Sequence, residues 1–488
     1  MALWHYGFIA KTPQCQSATT PIHTMLQHYF KLAYRNIQRD KSTFFINLIG
    51  LSTGLACALM IALWVNDEWQ IDGFHDKEDR LYQVMTNHDN QDEVNTMPIT
   101  QGLLAQAMED EFPEVELAVQ TSIEIPDPFV LSVEDSKHKQ VGTYVGEDFF
   151  QLFSYKMLEG DKTTCLQNEQ SIVLSEKLAK KIFSNQSPIG QTIGWEILHF
   201  NGVATVTGVY QLPDNASWQF DFVLPFMLFE EMMKPGIHWG NYNAMTYVLL
   251  QEQTDVATVN ERLLTFFQEK SLDGERVGAF MVPFKNCYLY SRYENGKVAG
   301  GRIDYVKLFL AIALFILLIA CINFMNLSTA KSTQKLKEVG VRKTIGANRK
   351  SLIAQYLMES SFVAFLSLIV ALGLVTLLLP YFNELTGKSL SIMWNTNWVL
   401  GLLSITTLTG ILAGSYPAFY ISSFQPVKVL KGKLQGATNA SWIRKVLVVS
   451  QFALSIILMI AVMVVYQQIN FIQNKNLGYD KENIITFP

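Results

Sequence analysis

The 488-residue chain lacks the short motifs by which proteins hold nucleotides or metals. It has no Gly-x-x-x-x-Gly-Lys-Ser/Thr phosphate loop. The nearest text, Gly387-Lys388-Ser389, has Phe382 where the first glycine should stand, so ATP binding by that route is excluded. His-Glu-x-x-His is absent, and the five cysteines, at 15, 57, 165, 287 and 321, show neither Cys-x-x-Cys nor metal-ligand spacing. Cys57 and Cys321 fall in apolar stretches and read as packing residues. Cys165 and Cys287 leave a disulfide open, because spacing does not establish proximity. One Gly-x-Ser-x-Gly string, Gly50 to Gly54, lies inside an apolar run. A nucleophilic serine needs a strand-to-helix elbow there, so a hydrolase reading is disfavoured and no catalytic set remains. Nothing implies a cofactor. The first 24 residues have no long apolar core before a small-residue cleavage site, and are expected to be a disordered tail or a start-site artefact.

What is present is long apolar runs in a chain whose mean hydropathy, +0.16, averages two populations. Residues 66–302 are polar, while 44–65 and 303–466 are mostly apolar. Five runs are long enough to cross a bilayer core of roughly 30 Å at about 1.5 Å per residue: 44–65, 308–330, 352–379 (ended by Pro380), 398–420 and 446–466. The second leads into a basic segment, 331–351. Its residues 331–350 carry seven Lys or Arg against one Glu, and it reads as a short charged helix at the membrane surface. By the positive-inside rule it faces the cytoplasm, as does the linker 421–445 with Lys428, Lys431, Lys433, Arg444 and Lys445. The N-terminus then lies inside, after an amphipathic helix at 25–43. Residues 66–302 and 467–488 lie outside.

The polar insert mixes helix and strand signals. Thr100–Glu111 and Ser175–Phe183 read as amphipathic helices. Thr143–Val145, Ala204–Tyr210, Phe220–Leu224 and Thr246–Leu250 read as strands. Phe149, Phe150, Phe153 and Tyr155 read as core. Gly50 and Gly54 have the spacing that lets two helices approach closely. Asn323, Asn326 and Ser328 suit interhelical hydrogen bonds, Glu359 near the inner surface suits solvation or pairing with Arg342 or Lys343, and Pro417 is a candidate hinge or equally a passive helix end. Spans without central charges argue against a proton-coupled carrier. Gly73-Phe-His-Asp-Lys-Glu-Asp-Arg after span one resembles Gly478-Tyr-Asp-Lys-Glu-Asn after span five. This suggests a duplicated four-span unit whose second insert has just begun at the chain's end.

Several strings together resemble the FtsX/MacB-like permeases of ABC transporters, in their long duplicated form. They are Tyr34-Arg-Asn-Ile-Gln-Arg-Asp-Lys41 with Asn47-Leu-Ile-Gly-Leu-Ser-Thr-Gly-Leu55, Phe74-His75 with Asp79-Arg-Leu-Tyr82, Ser171-Ile-Val-Leu-Ser-Glu-Lys-Leu-Ala-Lys180, Pro188-Ile-Gly-Gln191, Ala320-Cys-Ile-Asn-Phe-Met-Asn-Leu-Ser-Thr-Ala330, Lys337-Glu-Val-Gly-Val-Arg-Lys343 and Ser415-Tyr-Pro-Ala-Phe-Tyr420. The resemblance implies an α-helical polytopic membrane protein with a large inserted α+β periplasmic domain, in the bacterial inner membrane. It also implies a separate cytoplasmic P-loop ATPase as partner, with export or mechanotransmission as the outcome and ATPase activity on the partner alone. Lys335, Lys337, Glu338, Arg342 and Lys343 would then form the docking segment. Membrane lipid, a dimer partner or second permease half, and a periplasmic protein are further expected partners, and nucleic acid is not. The competing reading is a membrane-anchored extracytoplasmic sensor or scaffold that transports nothing.

Overall fold

The computed structural model describes residues 41–89, 93–123, 125, 127–184, 186–270, 277–423 and 437–475, with the side chains of 331–337 and 437–441 left outside. The N-terminal tail, the amphipathic helix expected at 25–43 as far as residue 40, residues 424–436 of the linker and the second copy of the repeat lie outside the described residues. In chain order the elements are α1 (Lys41–Trp69), β1 (Leu81–Asp89), β2 (Val94–Met97), α2 (Leu104–Glu111), β3 (Val115–Ser122), β4 (Phe129–Val133), β5 (Ser136–Gln140), β6 (Gly142–Val145), α3 (Phe149–Leu152), β7 (Lys156–Glu159), β8 (Ser171–Ser175) and α4 (Glu176–Phe183). They continue with β9 (Thr192–Ile197), β10 (Phe200–Gln211), β11 (Phe222–Pro225), α5 (Phe226–Met232), β12 (Ala244–Leu250), α6 (Val256–Lys270), β13 (Val277–Pro283), α7 (Phe284–Cys287), β14 (Arg292–Glu294), β15 (Lys297–Gly300), α8 (Arg302–Thr344), α9 (Arg349–Thr386), α10 (Thr396–Ser423) and α11 (Ala437–Asn474).

The described residues form two units. The first holds the chain up to Met60, Ile312–Gly387 and Ser391–Lys475, and the second holds Ile61–Ala311 with Lys388–Leu390. Among the described residues five helices, α1 and α8 to α11, are long and apolar enough to cross a membrane, and each contains one of the expected spans. Two boundaries differ from the sequence reading. The basic segment is the continuation of α8 rather than a separate short helix. Between Ala330 and Thr344 the weakest helix former is Gly340, which costs about 1 kcal/mol, and no proline stands in the segment to break the helix. Pro380 likewise sits inside α9. It removes one backbone donor, but the helix continues to Thr386 and ends where Gly387 takes φ +66° with its N–H on the Asn383 carbonyl.

Helix seams in the first unit are built on small residues. A Cβ on Gly54 would stand 2.6 Å from the Ala320 Cβ, and one on Gly410 would stand 2.7 Å from the Ser361 Cα. Gly50 and Gly54 thus serve an intramolecular α1–α8 seam, where close backbone approach replaces the hydrophobic drive that lipid removes. Buried hydroxyls on α9 and α10 turn back on their own helices, Ser360 to the Tyr356 carbonyl (3.1 Å) and Thr406 to the Leu402 carbonyl (2.7 Å). Asn326 Oδ1, expected in an interhelical bond, is buried without a hydrogen-bond partner among the described residues.

The second unit is built on a 13-stranded sheet in the order β13-β1-β12-β3-β6-β11-β8-β10-β9-β4-β5, with β2 on β1 and β7 on β10. Among the described strand pairs only β8–β10 and β6–β11 run parallel. Strand β8, Ser-Ile-Val-Leu-Ser, is buried at every position, as a strand covered on both faces must be. Its last residue, Ser175, caps α4 by accepting the Leu178 N–H at 3.2 Å. Glu176 in the first turn and Lys180 and Lys181 in the last complement the helix dipole. Phe149, Phe150, Phe153 and Tyr155 are core, packed with Tyr210, Phe220 and Tyr247. Each strand and helix expected here from sequence is present within a few residues of its expected bounds. Cys165 and Cys287 are both free thiols, pushed up to about 11 and about 12 by burial.

Candidate functional site

Helix α8 ends in a two-bond Schellman closure. The Ala347 N–H reaches the Arg342 carbonyl (3.0 Å) and the Gly346 N–H reaches the Lys343 carbonyl (3.1 Å). Gly346 takes φ +104°, which a side chain would resist, so glycine here is what allows α8 to stop and α9 to start at Arg349. Beneath the turn Val339, Leu352 and Ile421 form a small buried cluster, with Tyr356 and Tyr420 against it.

The charged residues expected to dock a partner divide into two groups. The side chains of Lys335 and Lys337 lie outside the described residues. The other three hold the turn to its own neighbours. Arg342 reaches Glu338 one turn back (2.6 Å) and Gln355 on α9 (2.8 Å). Lys343 donates to the Ser422 carbonyl at the end of α10 (2.7 Å). Partial burial, then the nearby Arg349, hold the Lys343 ammonium below the usual lysine value. Arg342, proposed from sequence as a partner for Glu359, is thus engaged by Glu338 and Gln355. Gln355 and Ser422 carried no sequence signal as its supports, since both are ordinary polar residues within apolar helices. Ile345, also missed, is 81% exposed at the apex of the turn. Pro417 lies buried within α10, which continues past it to Ser423.

The serine of the Gly-x-Ser-x-Gly string, Ser52, is buried in the middle of α1 and has no elbow geometry. Among the described residues no three His, Cys, Asp or Glu side chains are placed to hold a metal ion. The second unit does contain a cleft of about 390 Å³ between Trp218, Tyr247, Tyr288 and Arg302. At its edge Asp72 accepts the Ser217 N–H at 2.7 Å, and burial raises its carboxyl above the usual range. Nearby His75 is buried among Phe74, Phe153, Tyr155 and Phe284. Desolvation lowers it to about 4, so it is neutral at pH 7, and its Nδ1 accepts the Ser154 N–H at 3.1 Å.

Two family models match this architecture. Residues 44–266 match the MacB-like periplasmic core domain, and residues 310–426 match the FtsX-like permease C-terminal domain. The macrolide export ATP-binding/permease protein MacB of Vibrio parahaemolyticus is 24% identical over 289 residues, 59% of this chain and 42% of that protein. MacB of Psychrobacter arcticus is 22% identical over 355 residues, 69% of this chain and 51% of that protein. The chain thus spans about half or less of these relatives' length. A crystallised domain of a putative permease protein from Porphyromonas gingivalis, 23% identical, covers 43% of this chain and 93% of its own, with a TM-score of 0.37. With a mixed-sheet domain inserted between apolar helices and these two domain matches in chain order, the protein belongs to the FtsX/MacB-like permeases, the multi-pass membrane component of ABC transporters.

Proposed function

We propose that the chain is a permease subunit of the inner membrane that couples ATP hydrolysis by a separate cytoplasmic P-loop ATPase to movement of its sheet unit, for export or for mechanotransmission. In this reading the chain's N-terminus and its two basic segments face the cytoplasm, and the sheet unit lies outside. The observation that carries the proposal is the turn after α8. A Schellman closure and two anchored cations present the exposed side chain of Ile345, with the half-exposed Val341 one turn back, inside a basic surround. An exposed apolar residue on a rigid apex, ringed by charge, suits a small docking surface. There the apolar contact supplies affinity and the charges supply register. The first group, Lys335 and Lys337 on the preceding turns, then makes the contacts to the partner, while Glu338, Arg342 and Lys343 hold the turn in shape. Lipid headgroups would share the basic surface. A second permease half or a dimer partner, and a partner outside the membrane, would complete the assembly.

The test is gentle extraction of the tagged chain and mass-spectrometric identification of what accompanies it, alongside Lys335→Glu/Lys337→Glu and Ile345→Asp variants. A P-loop ATPase recovered with the parent and lost from both variants supports the reading. Recovery undiminished in both would remove the turn from the interface, and no ATPase from any of the three would remove the coupling itself.

A further inference from the structure

Among the described residues the chain passes between the two units at four places: after Met60, after Ala311, after Gly387 and after Leu390. Charged groups from the segments beside all four meet in one cluster of the second unit. Glu68, near the end of α1, is 1% exposed. Its Oε1 is 2.6 Å from the Lys388 ammonium, a close ion contact. Its Oε2 accepts the Tyr288 hydroxyl at 3.1 Å and lies 3.7 Å from Arg302, the first residue of α8. Asp67 contacts the same Lys388. Aromatic rings line the cluster. Lys388 sits 5.7 Å from the Trp64 ring, which packs edge-on to Phe309, and Arg302 lies 4.8 Å over Tyr288. Two acids meet two bases, so the group is neutral overall.

A carboxylate buried this fully is costly, and an apolar set of similar volume would commonly be as stable. What ionic groups add over apolar ones is direction. Glu68 makes ion contacts with one ammonium and one guanidinium and accepts a hydrogen bond from one hydroxyl, each from a different stretch of chain, so a shifted register would lose at least one of the three. Lys388 follows directly on Gly387, whose φ of +66° ends α9, so the side chain leaves a fixed point. We infer that Glu68, with Asp67, Lys388 and Arg302, is a positioning node. It fixes the α1, α8 and α9–α10 connections against one another, so that displacement arriving along one helix is shared by the others and by the sheet unit. Glu68 and Lys388 are thereby positioning residues for the proposed coupling, and this use of the node rests on that reading.

The test compares amide hydrogen exchange in the full chain in lipid nanodiscs for the parent, Lys388→Met and the neutral pair Glu68→Gln/Lys388→Met. The node predicts that Lys388→Met speeds exchange by about tenfold or more at residues 286–303 as well as around 388, since one lost partner frees every segment it joined. Acceleration confined to 386–392 would overturn it. The neutral pair guards against simple misfolding. It is expected to melt within a few degrees of the parent while keeping the faster exchange at 286–303, and parent-like exchange there would also overturn the node. This comparison needs no ATPase, so it decides the node even where copurification has already refuted the coupling. With the ATPase bound, the neutral pair should keep hydrolysis within about twofold but lose the ATP-dependent exchange change across β1 and β13.

Discussion

The protein carries two charged clusters, and they are built on opposite principles. The turn after α8 has surplus positive charge, and it ties its cations to neutral or nearby groups, the Gln355 amide, the Ser422 carbonyl and Glu338. The cluster around Glu68 is balanced, centred on a buried carboxylate with a half-exposed Arg302 at its rim, and closed by groups distant in sequence. Surplus charge half in water costs little and remains available to lipid or to a partner. A buried carboxylate closed by its own cations has no such availability, and its worth lies in geometry. Under the proposed coupling, the first cluster is where another molecule would be met, and the second is where the chain is held to itself.

The largest expected effect comes from breaking the buried cluster. Lys388→Met leaves Glu68 short of its nearest cation and should destabilise the second unit by about 3 kcal/mol, read as a shift in the denaturant midpoint in nanodiscs. Glu68→Gln/Lys388→Met should recover most of that loss, because the uncompensated charge goes with its partner. An acid titration separates the node from the rest of the sheet unit. His75 is lowered to about 4 in the folded chain against an ordinary value of 6.5. The unfolded chain therefore binds the extra proton between those values, and stability falls as pH drops from 6.5 to 4, by at most about 3 kcal/mol. His75→Gln should flatten that window and leave the behaviour above pH 7 unchanged.

Next in size is the turn. Gly346→Ala forces a side chain onto φ +104° and should cost about 1–2 kcal/mol, with faster exchange at 344–349 and no change at 286–303. A turn variant that loosened the Glu68 region would break the division between the clusters. The smallest effect is expected at an ordinary surface pair. Glu176→Ala removes the exposed contact to Lys180 on α4 and should change stability by no more than about 0.5 kcal/mol. It calibrates how little a solvated charge contributes in this protein.

Much of the architecture was legible in the residues. Five apolar runs and an insert of period-two and amphipathic segments gave the layout, because lipid and water impose unmistakable composition on long stretches. The errors came from local breakers judged without context. Pro380 was read as an end, although one missing donor cannot stop a helix with favourable sequence on both sides. The basic segment was read as a separate helix, although no residue before Gly346 could end α8. Lys335, Lys337, Glu338, Arg342 and Lys343 stood out as charge, but nothing in the sequence distinguishes those that hold the turn from those left to meet a partner. Glu68 and Lys388 were invisible as a pair. They are separated by most of the chain, and Lys388 attracted notice only as part of a failed phosphate-loop match.

The most direct test of this account is the amount of ATPase recovered, and its hydrolysis rate per bound molecule, with Lys335→Glu/Lys337→Glu and with Lys388→Met in the same membrane preparation. The account predicts that the first variant loses the ATPase, while the second keeps it with hydrolysis within about twofold of the parent. Loss of the ATPase from the Lys388 variant, with full retention by the Lys335/Lys337 variant, would contradict it.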